Sequence, residues 1–141
     1  MQLRRSFELK SAPFCQKGSP LQFTEVNLPD YTPIFTRTFD FLTWLLPITN
    51  NFPVAQRHTF TRRLLDAAFD LRENLESANH RRGAQRLACL NAADEALDKV
   101  RTYLRLAAGW HWLSSGQYQH AAGMVAEIGR LLGGWLKITS S

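Results

Sequence analysis

The stretch AQRLACLNAADEALDKVRTYLRLAA at residues 84–108 decides the fold class. Its apolar side chains recur at intervals of three and four residues, which is the period of an α-helix that buries one face. The members of this stripe are Leu90, Ala93, Leu97, Val100, Leu104 and Ala107. Gly109 follows at the position just past a helix end, where glycine is favoured. The sequence therefore predicts a long amphipathic helix, which needs apolar partners.

Two segments with the same period precede this helix. The first begins at Ile34, directly after Pro33, which fits the preference for proline at the start of a helix. Pro47 is expected to end or kink this helix. Its apolar stripe is Ile34, Phe35, Phe39, Leu42, Leu45 and Leu46. The second segment runs from Val54 to about Asn79. Its stripe is Leu64, Ala68, Leu71, Leu75 and Ala78.

A fourth segment follows, from about Gln117 to Leu136, and either Ser114 or Ser115 can cap its first turn. Its apolar face consists of Tyr118, Ala121, Val125, Ile128, Leu132 and Trp135. Four amphipathic helices with short connections predict an all-α fold, an antiparallel up-down four-helix bundle over residues 34–141.

Residues 1–33 have a different composition. They contain Pro13, Pro20, Pro29 and Pro33, four of the six prolines, and no helical period runs through them. Proline and glycine punctuate loops and extended segments. We therefore expect an irregular N-terminal arm, outside the bundle.

The net charge of +5 and the pI near 9.7 come mainly from arginine. A planar guanidinium matches phosphate better than an ammonium does, so this composition favours a polyanionic partner. A merely soluble basic surface is the alternative. No apolar stretch is long enough for a membrane span or a signal peptide. The two cysteines, Cys15 and Cys89, are expected to be reduced thiols, and the protein is expected to be cytoplasmic.

No pattern typical of an enzyme or a metal site occurs. Gly133-Gly134 lacks the context of a phosphate-binding loop, there is no Glu-x-x-His, and no two histidines are four residues apart. Cys89 is best explained as a small apolar residue. Asp94 and Asp98 are best explained by ion pairs with Arg101 and Arg105. We predict no catalysis, no metal and no cofactor.

Arginines off the apolar stripes are the candidate nucleic-acid contacts. They are Arg57, Arg62, Arg63, Arg81, Arg82, Arg86, Arg101 and Arg105. In an antiparallel bundle the start of the second helix lies near the end of the third. We therefore predict that five of these arginines share one patch that binds phosphates without reading bases. They are Arg57, Arg62, Arg63, Arg101 and Arg105. The competing interpretation is a solvated face of intrahelical ion pairs. Exposed aromatic side chains that could stack on bases are not expected.

The run EIGRLLGGWLK at residues 127–137 is unusual because glycines are costly inside a helix. Together with Phe52-Pro53, Val100-Arg101, Leu104-Arg105-Leu106 and Gln117-Tyr118, it resembles the accessory variability determinant (Avd) family of diversity-generating retroelements. The resemblance covers residues 31–137, and the glycine-rich ending is its most specific part.

This resemblance implies a homopentameric, non-catalytic accessory protein that binds the reverse transcriptase and the template-repeat RNA. That complex makes the mutagenised cDNA that diversifies a target gene, a process called mutagenic retrohoming. The resemblance also implies packing roles for Gly129, Gly133, Gly134 and Trp135, within the chain or between subunits. Arg130 and Lys137 are either ligand-facing or interface residues.

Two other classes of protein fit the same residues. The related four-helix-bundle proteins encoded in ribosomal RNA intervening sequences share the helical pattern. An oligomeric adaptor without nucleic-acid contact would need only the apolar stripes. Genomic neighbourhood separates the first class from a retroelement protein, and salt-dependent RNA binding separates the second.

Overall fold

The structure is a computed structural model that describes residues 32–141. Residues 1–31 of the arm predicted for residues 1–33 therefore lie outside the described residues, whereas Thr32 and Pro33 belong to the first helix. The helices are α1 (Thr32–Thr49), α2 (Arg62–Asn79), α3 (Gly83–Gly109) and α4 (Ser115–Ser140), with a 3₁₀ turn (Val54–Gln56) and a π-helical turn (Arg57–Thr61) between α1 and α2. No strand occurs in residues 32–141. The predicted all-α fold is confirmed.

Helices that are consecutive in the chain pack against each other, and α1 also packs against α4, which closes the bundle. The chain alternates in direction, because Phe35 near the start of α1 contacts Trp135 near the end of α4, with ring centroids 6.2 Å apart. Trp44 near the end of α1 lies 5.2 Å from His120 near the start of α4. This is the antiparallel up-down arrangement that the sequence predicts.

The stripes predicted for α2 and α3 are buried throughout, and so is that of α4 apart from the half-buried Tyr118. The stripe predicted for α1 is partly wrong. Phe39 is 62% exposed and Leu46 is 41% exposed. The buried face of α1 instead consists of Ile34, Thr38, Phe41, Leu45 and Thr49. Thr38 is accommodated there because its hydroxyl donates to the carbonyl of Ile34, 3.0 Å away.

The helix ends differ from the sequence prediction at Pro47, at the start of the second helix and at the end of α3, whereas the cap of α4 is one of the two predicted serines. Pro47 does not end α1 but lies in its last turn, where a missing amide hydrogen removes only one helical hydrogen bond. The second predicted helix begins with the 3₁₀ and π turns and becomes α-helical only at Arg62. At the start of α4, Ser114 is the cap, and its hydroxyl accepts from the amide of Gln117 at 3.1 Å.

The end of α3 is not closed by Gly109, which is the last helical residue. The left-handed residue that ends the helix is His111, with φ of 64°. The amide of Trp112 donates to the carbonyl of Ala107 at 2.9 Å, and the amide of His111 donates to that of Ala108 at 3.0 Å. These two bonds form a Schellman motif in which glycine is the usual left-handed residue.

Replacing His111 with glycine is therefore expected to stabilise the protein. Glycine has no Cβ and so avoids the steric cost of the left-handed conformation. Its greater freedom in the unfolded chain offsets part of this gain, so the free energy of unfolding should rise by about 0.5–1 kcal/mol. Thermal unfolding followed by circular dichroism measures this as a rise in Tm of roughly 2–6 °C. His111→Ala is the matched control, because it removes the imidazole and keeps the Cβ. A rise in both variants would contradict the backbone explanation.

None of the helices in residues 32–141 is long and apolar enough to cross a membrane.

Candidate nucleic-acid interface

The groove between α3 and α4 gathers three of the candidate arginines. Arg101, Arg105 and Arg130 line it together with Tyr118 and Gly129, around a volume of about 410 Å³. The groove is also lined by the buried side chains of Leu104 and Val125 and by the exposed Ala122 and Ala126. It combines these apolar side chains with three guanidinium groups, and a guanidinium is well suited to binding phosphate.

Gly129 has a specific reason to be glycine. A Cβ at this position would collide with the guanidinium of Arg101 and would lie 3.5 Å from a methyl of Leu97. The missing side chain therefore leaves room for Arg101 to lie across α4. The predicted packing role of Gly129 takes this form, as a contact between the glycine of one helix and the arginine of the next.

Two of the three arginines in this groove have acidic partners. Arg101 pairs with Asp98 at 2.7 Å, and Arg130 pairs with Glu127 at 2.7 Å. The hydrogen bond and the charge of Arg130 lower the pKa of Glu127, against the opposing effect of desolvation. Both pairs are three residues apart on a solvated helix face, where ion pairs contribute little energy. A phosphate can replace such a carboxylate at low cost.

Arg57 and Arg62 lie in a different groove, between the end of α1 and the start of α2. The π-helical turn places Arg57 and His58 at its rim, and such turns are frequent at functional sites. Arg62 lies 3.8 Å from Asp66. Arg57 has no ion-pair partner within residues 32–141.

Arg63 lies in a third groove, between α2 and α3, together with Lys99 and Tyr103. The five arginines predicted to share one patch are therefore distributed over three grooves. The reason is that consecutive arginines on α2 point to different sides of the helix, which turns by about 100° per residue. The sequence prediction of a single patch is corrected accordingly.

Arg81 and Arg82 are exposed at the turn between α2 and α3 and have no ion-pair partner within the described chain. Lys137, near the end of α4, lies at the same end of the bundle and is also exposed and unpaired among these residues. Arg86 is different. Its Nε donates to the carbonyl of Ala78 at 2.9 Å, and its guanidinium lies 5.7 Å from the centre of the Trp135 ring.

Arg86 therefore has internal partners that connect α2, α3 and α4, which distinguishes it from Arg81 and Arg82. Arg72 also has internal partners. Its guanidinium donates to the carbonyl of Phe35 at 2.9 Å and to Thr38 at 3.1 Å, and it pairs with Glu76 at 2.8 Å. Both arginines stabilise the bundle.

Exposed aromatic side chains, which the sequence does not lead us to expect, are present. Trp110 is 50% exposed at the end of α3, and Phe39 and Phe69 are exposed on α1 and α2. Helical periodicity gives no indication of Trp110 because it follows the last residue of α3. Its neighbour Trp112 is half-buried beside Phe52 and Phe60.

The remaining residues of the glycine-rich ending divide into two kinds. Trp135 is 1% exposed and belongs to the core. Gly133 and Gly134 are exposed, and nothing lies within 4 Å of a Cβ built on either. Close packing of another part of residues 32–141 against these two glycines is therefore not found. No cluster of residues able to hold a metal ion occurs in residues 32–141.

Comparisons with known proteins agree with this architecture. A protein of unknown function from the S23 ribosomal protein family of Bacteroides thetaiotaomicron VPI-5482 has a similar crystal structure, with a TM-score of 0.70 at 16% identity. The alignment covers 77% of this chain and 99% of that chain, and at this identity it shows the fold alone. A search of curated proteins found no match. A family model described as bAvd-like matches residues 34–139. The match spans all four helices, and the chain belongs to the bAvd-like family.

Proposed function

We propose that this protein is a non-catalytic accessory protein of a diversity-generating retroelement. It binds the retroelement's reverse transcriptase and template-repeat RNA and supports synthesis of the mutagenised cDNA. The observation that carries this proposal is the bAvd-like match over residues 34–139. The same residues present arginines along several grooves of the bundle.

The charges support an RNA-binding role. Arg57, Arg63, Arg81, Arg82 and Arg105 are exposed and have no ion-pair partner in the part of the chain that the structure describes. Unpaired surface arginines bind phosphates without reading bases, which suits a protein that accompanies a long RNA. Within residues 32–141 the guanidinium of Arg105 has no ion-pair partner that a phosphate must displace. We therefore propose it as the first phosphate contact in the α3/α4 groove.

We also propose that the protein assembles into a homopentamer, as the family resemblance implies, and the exposed glycines support a contact between subunits. Glycine is costly within a helix by about 1 kcal/mol relative to alanine. Since no neighbour within residues 32–141 requires Gly133 or Gly134 to be small, a neighbouring subunit is a consistent reason for them. Ile138, 63% exposed and one turn further on, extends the same segment of α4 as an apolar contact.

The proposal is tested by purifying the tagged protein from cells that express its genomic neighbours and sequencing the RNA that accompanies it. Recovery of a reverse transcriptase together with template-repeat RNA would establish the proposed role. The matched control is the tagged Arg101→Glu, Arg105→Glu variant, which should retain the protein partners and lose RNA.

Recovery of neither the polymerase nor its RNA, from an oligomer of normal size, would overturn the proposal. A gene located inside a ribosomal RNA gene would then favour an intervening-sequence protein.

A further inference from the structure

The end of the bundle formed by the last turn of α3 and the start of α2 carries a partly exposed cluster of aromatic rings. Trp110 lies 4.9 Å from Trp112 and 5.5 Å from Phe60 between ring centroids. We name Trp110, Trp112 and Phe60 the tryptophan platform. Half of the Trp110 surface remains exposed although two rings support it. Trp112 and Phe60 therefore hold the indole in one orientation and leave about half of its surface open to a partner.

The backbone fixes that orientation. Trp110 and Trp112 flank His111, whose φ of 64° reverses the chain direction. The amides of both tryptophans are hydrogen-bonded to carbonyls of the last turns of α3, at 3.0 Å to Leu106 and 2.9 Å to Ala107. A residue held in the left-handed region persists only when its surroundings determine it strongly. The platform is therefore preorganised before any partner binds, which lowers the entropic cost of binding.

Cationic side chains lie along the side of α3 that leads to the tryptophan platform. Tyr103 lies 5.5 Å from Phe60 between ring centroids and lines the α2/α3 groove with Lys99 and Arg63. Lys99 precedes Trp110 by three helical turns, about 16 Å along the helix axis. Neither Lys99 nor Arg63 has an ion-pair partner within residues 32–141. Asp66 and Asp70 also line this groove, and Asp66 is within 4 Å of Arg62.

We infer that the tryptophan platform binds single-stranded nucleic acid, with one base stacked on Trp110 and phosphates further along the strand on Lys99 and Arg63. The inference rests on the proposed RNA-binding function and names the form of nucleic acid that this end of the bundle takes. Proteins that bind single strands combine such aromatic faces with a cationic track. In a duplex the bases are stacked on one another, so their faces cannot reach Trp110. An apolar peptide would leave the two cations without partners.

The experiment measures binding of a 12-nucleotide single-stranded RNA and of the corresponding duplex to the full-length protein and its variants. Trp110→Ala is expected to weaken single-strand binding by roughly 5- to 150-fold and to leave duplex binding unchanged. Trp110→Tyr should restore most of the affinity, because tyrosine also stacks on bases. Phe39→Ala is the matched control, since it removes another exposed aromatic ring from a different helix.

Two further measurements separate stacking from charge. Saturating single-stranded RNA should quench tryptophan fluorescence in the wild-type protein and much less in Trp110→Ala. Lys99→Gln with Arg63→Gln should reduce the slope of log affinity against log salt by about 1.4, at roughly 0.7 per phosphate contact, whereas Trp110→Ala should keep the slope.

Equal losses of single-strand and duplex binding in Trp110→Ala, or no loss of either, would overturn the inference while RNA binding itself stood. If Trp110→Ala unfolds, Trp110→Tyr tests the inference instead. It should bind single-stranded RNA with most of the wild-type affinity but show much less quenching of tryptophan fluorescence, because the Trp110 indole is absent. Failure of the wild-type protein to bind any RNA would instead contradict the proposed function.

Discussion

Replacing Trp135 with alanine is expected to lower the free energy of unfolding by about 3–5 kcal/mol. Trp135 is 1% exposed, and its ring makes an edge contact with Phe35 on α1. On its other side the guanidinium of Arg86 on α3 lies over the ring. Truncation would leave a cavity between three helices, and it would also remove the surface on which Arg86 lies.

Denaturant unfolding followed by circular dichroism measures the effect as a shift in the midpoint. Since small domains are stable by only about 5–15 kcal/mol, the alanine variant is expected to be marginal. Trp135→Phe, with an expected loss of about 1–3 kcal/mol, keeps the test available if the alanine variant does not fold. Phe39→Ala should change stability by less than about 0.5 kcal/mol, because its side chain is largely exposed. A comparably small loss in Trp135→Ala would show that Trp135 does not belong to the core.

The sequence predicts the helices well because helix formation and burial follow a local period. Every stripe residue of α3 is buried, from Leu90 to Ala107. The period is less informative in α1, where apolar residues adjoin in pairs such as Leu45 and Leu46. Two adjacent residues lie about 100° apart on a helix, so one of each pair faces the core and the pattern does not indicate which. The partner helices decide this, and they leave Leu46 exposed.

The roles of individual arginines depend on contacts that sequence spacing does not contain. Arg82 and Arg86 are four residues apart, yet only Arg86 reaches the Trp135 ring, 49 positions further along the chain. Gly129 and Arg101 form another such pair, from two helices. Each contact follows from how α3 packs on its neighbours. The sequence therefore predicts the arginines together as candidate nucleic-acid contacts. The structure separates those that are exposed from those that stabilise the bundle.

Reversing the charges of Arg101 and Arg105 is expected to weaken RNA binding by about tenfold to a hundredfold at 0.1 M salt, since a hydrogen bond to a charged group contributes roughly 1.5 kcal/mol. Both side chains line the α3/α4 groove. Arg101 fits there because Gly129 has no side chain to collide with its guanidinium. The slope of log affinity against log salt should also fall, by about 0.7 for each phosphate of a single strand that the variant no longer neutralises.

The matched variant reverses Arg57 and Arg62 in the α1/α2 groove, on the opposite side of the bundle. It has the same net charge as the Arg101, Arg105 variant, so an effect of total charge alone would weaken both equally. A larger loss at Arg101 and Arg105 would place the RNA on α3 and α4. Arg101→Gln with Arg105→Gln avoids a new repulsion with Asp98, and its salt slope should fall by the same amount.

Unchanged RNA affinity in the reversed variant, with its helical content and oligomeric state intact, would contradict the assignment of this groove. Equal losses in the two matched variants would indicate that the phosphates contact the bundle on several sides. The second result has a structural consequence, because the two grooves lie on opposite sides of one protomer. The shortest path between them passes around the end of the bundle where α2 begins and α3 ends, and the exposed Trp110 lies at that end.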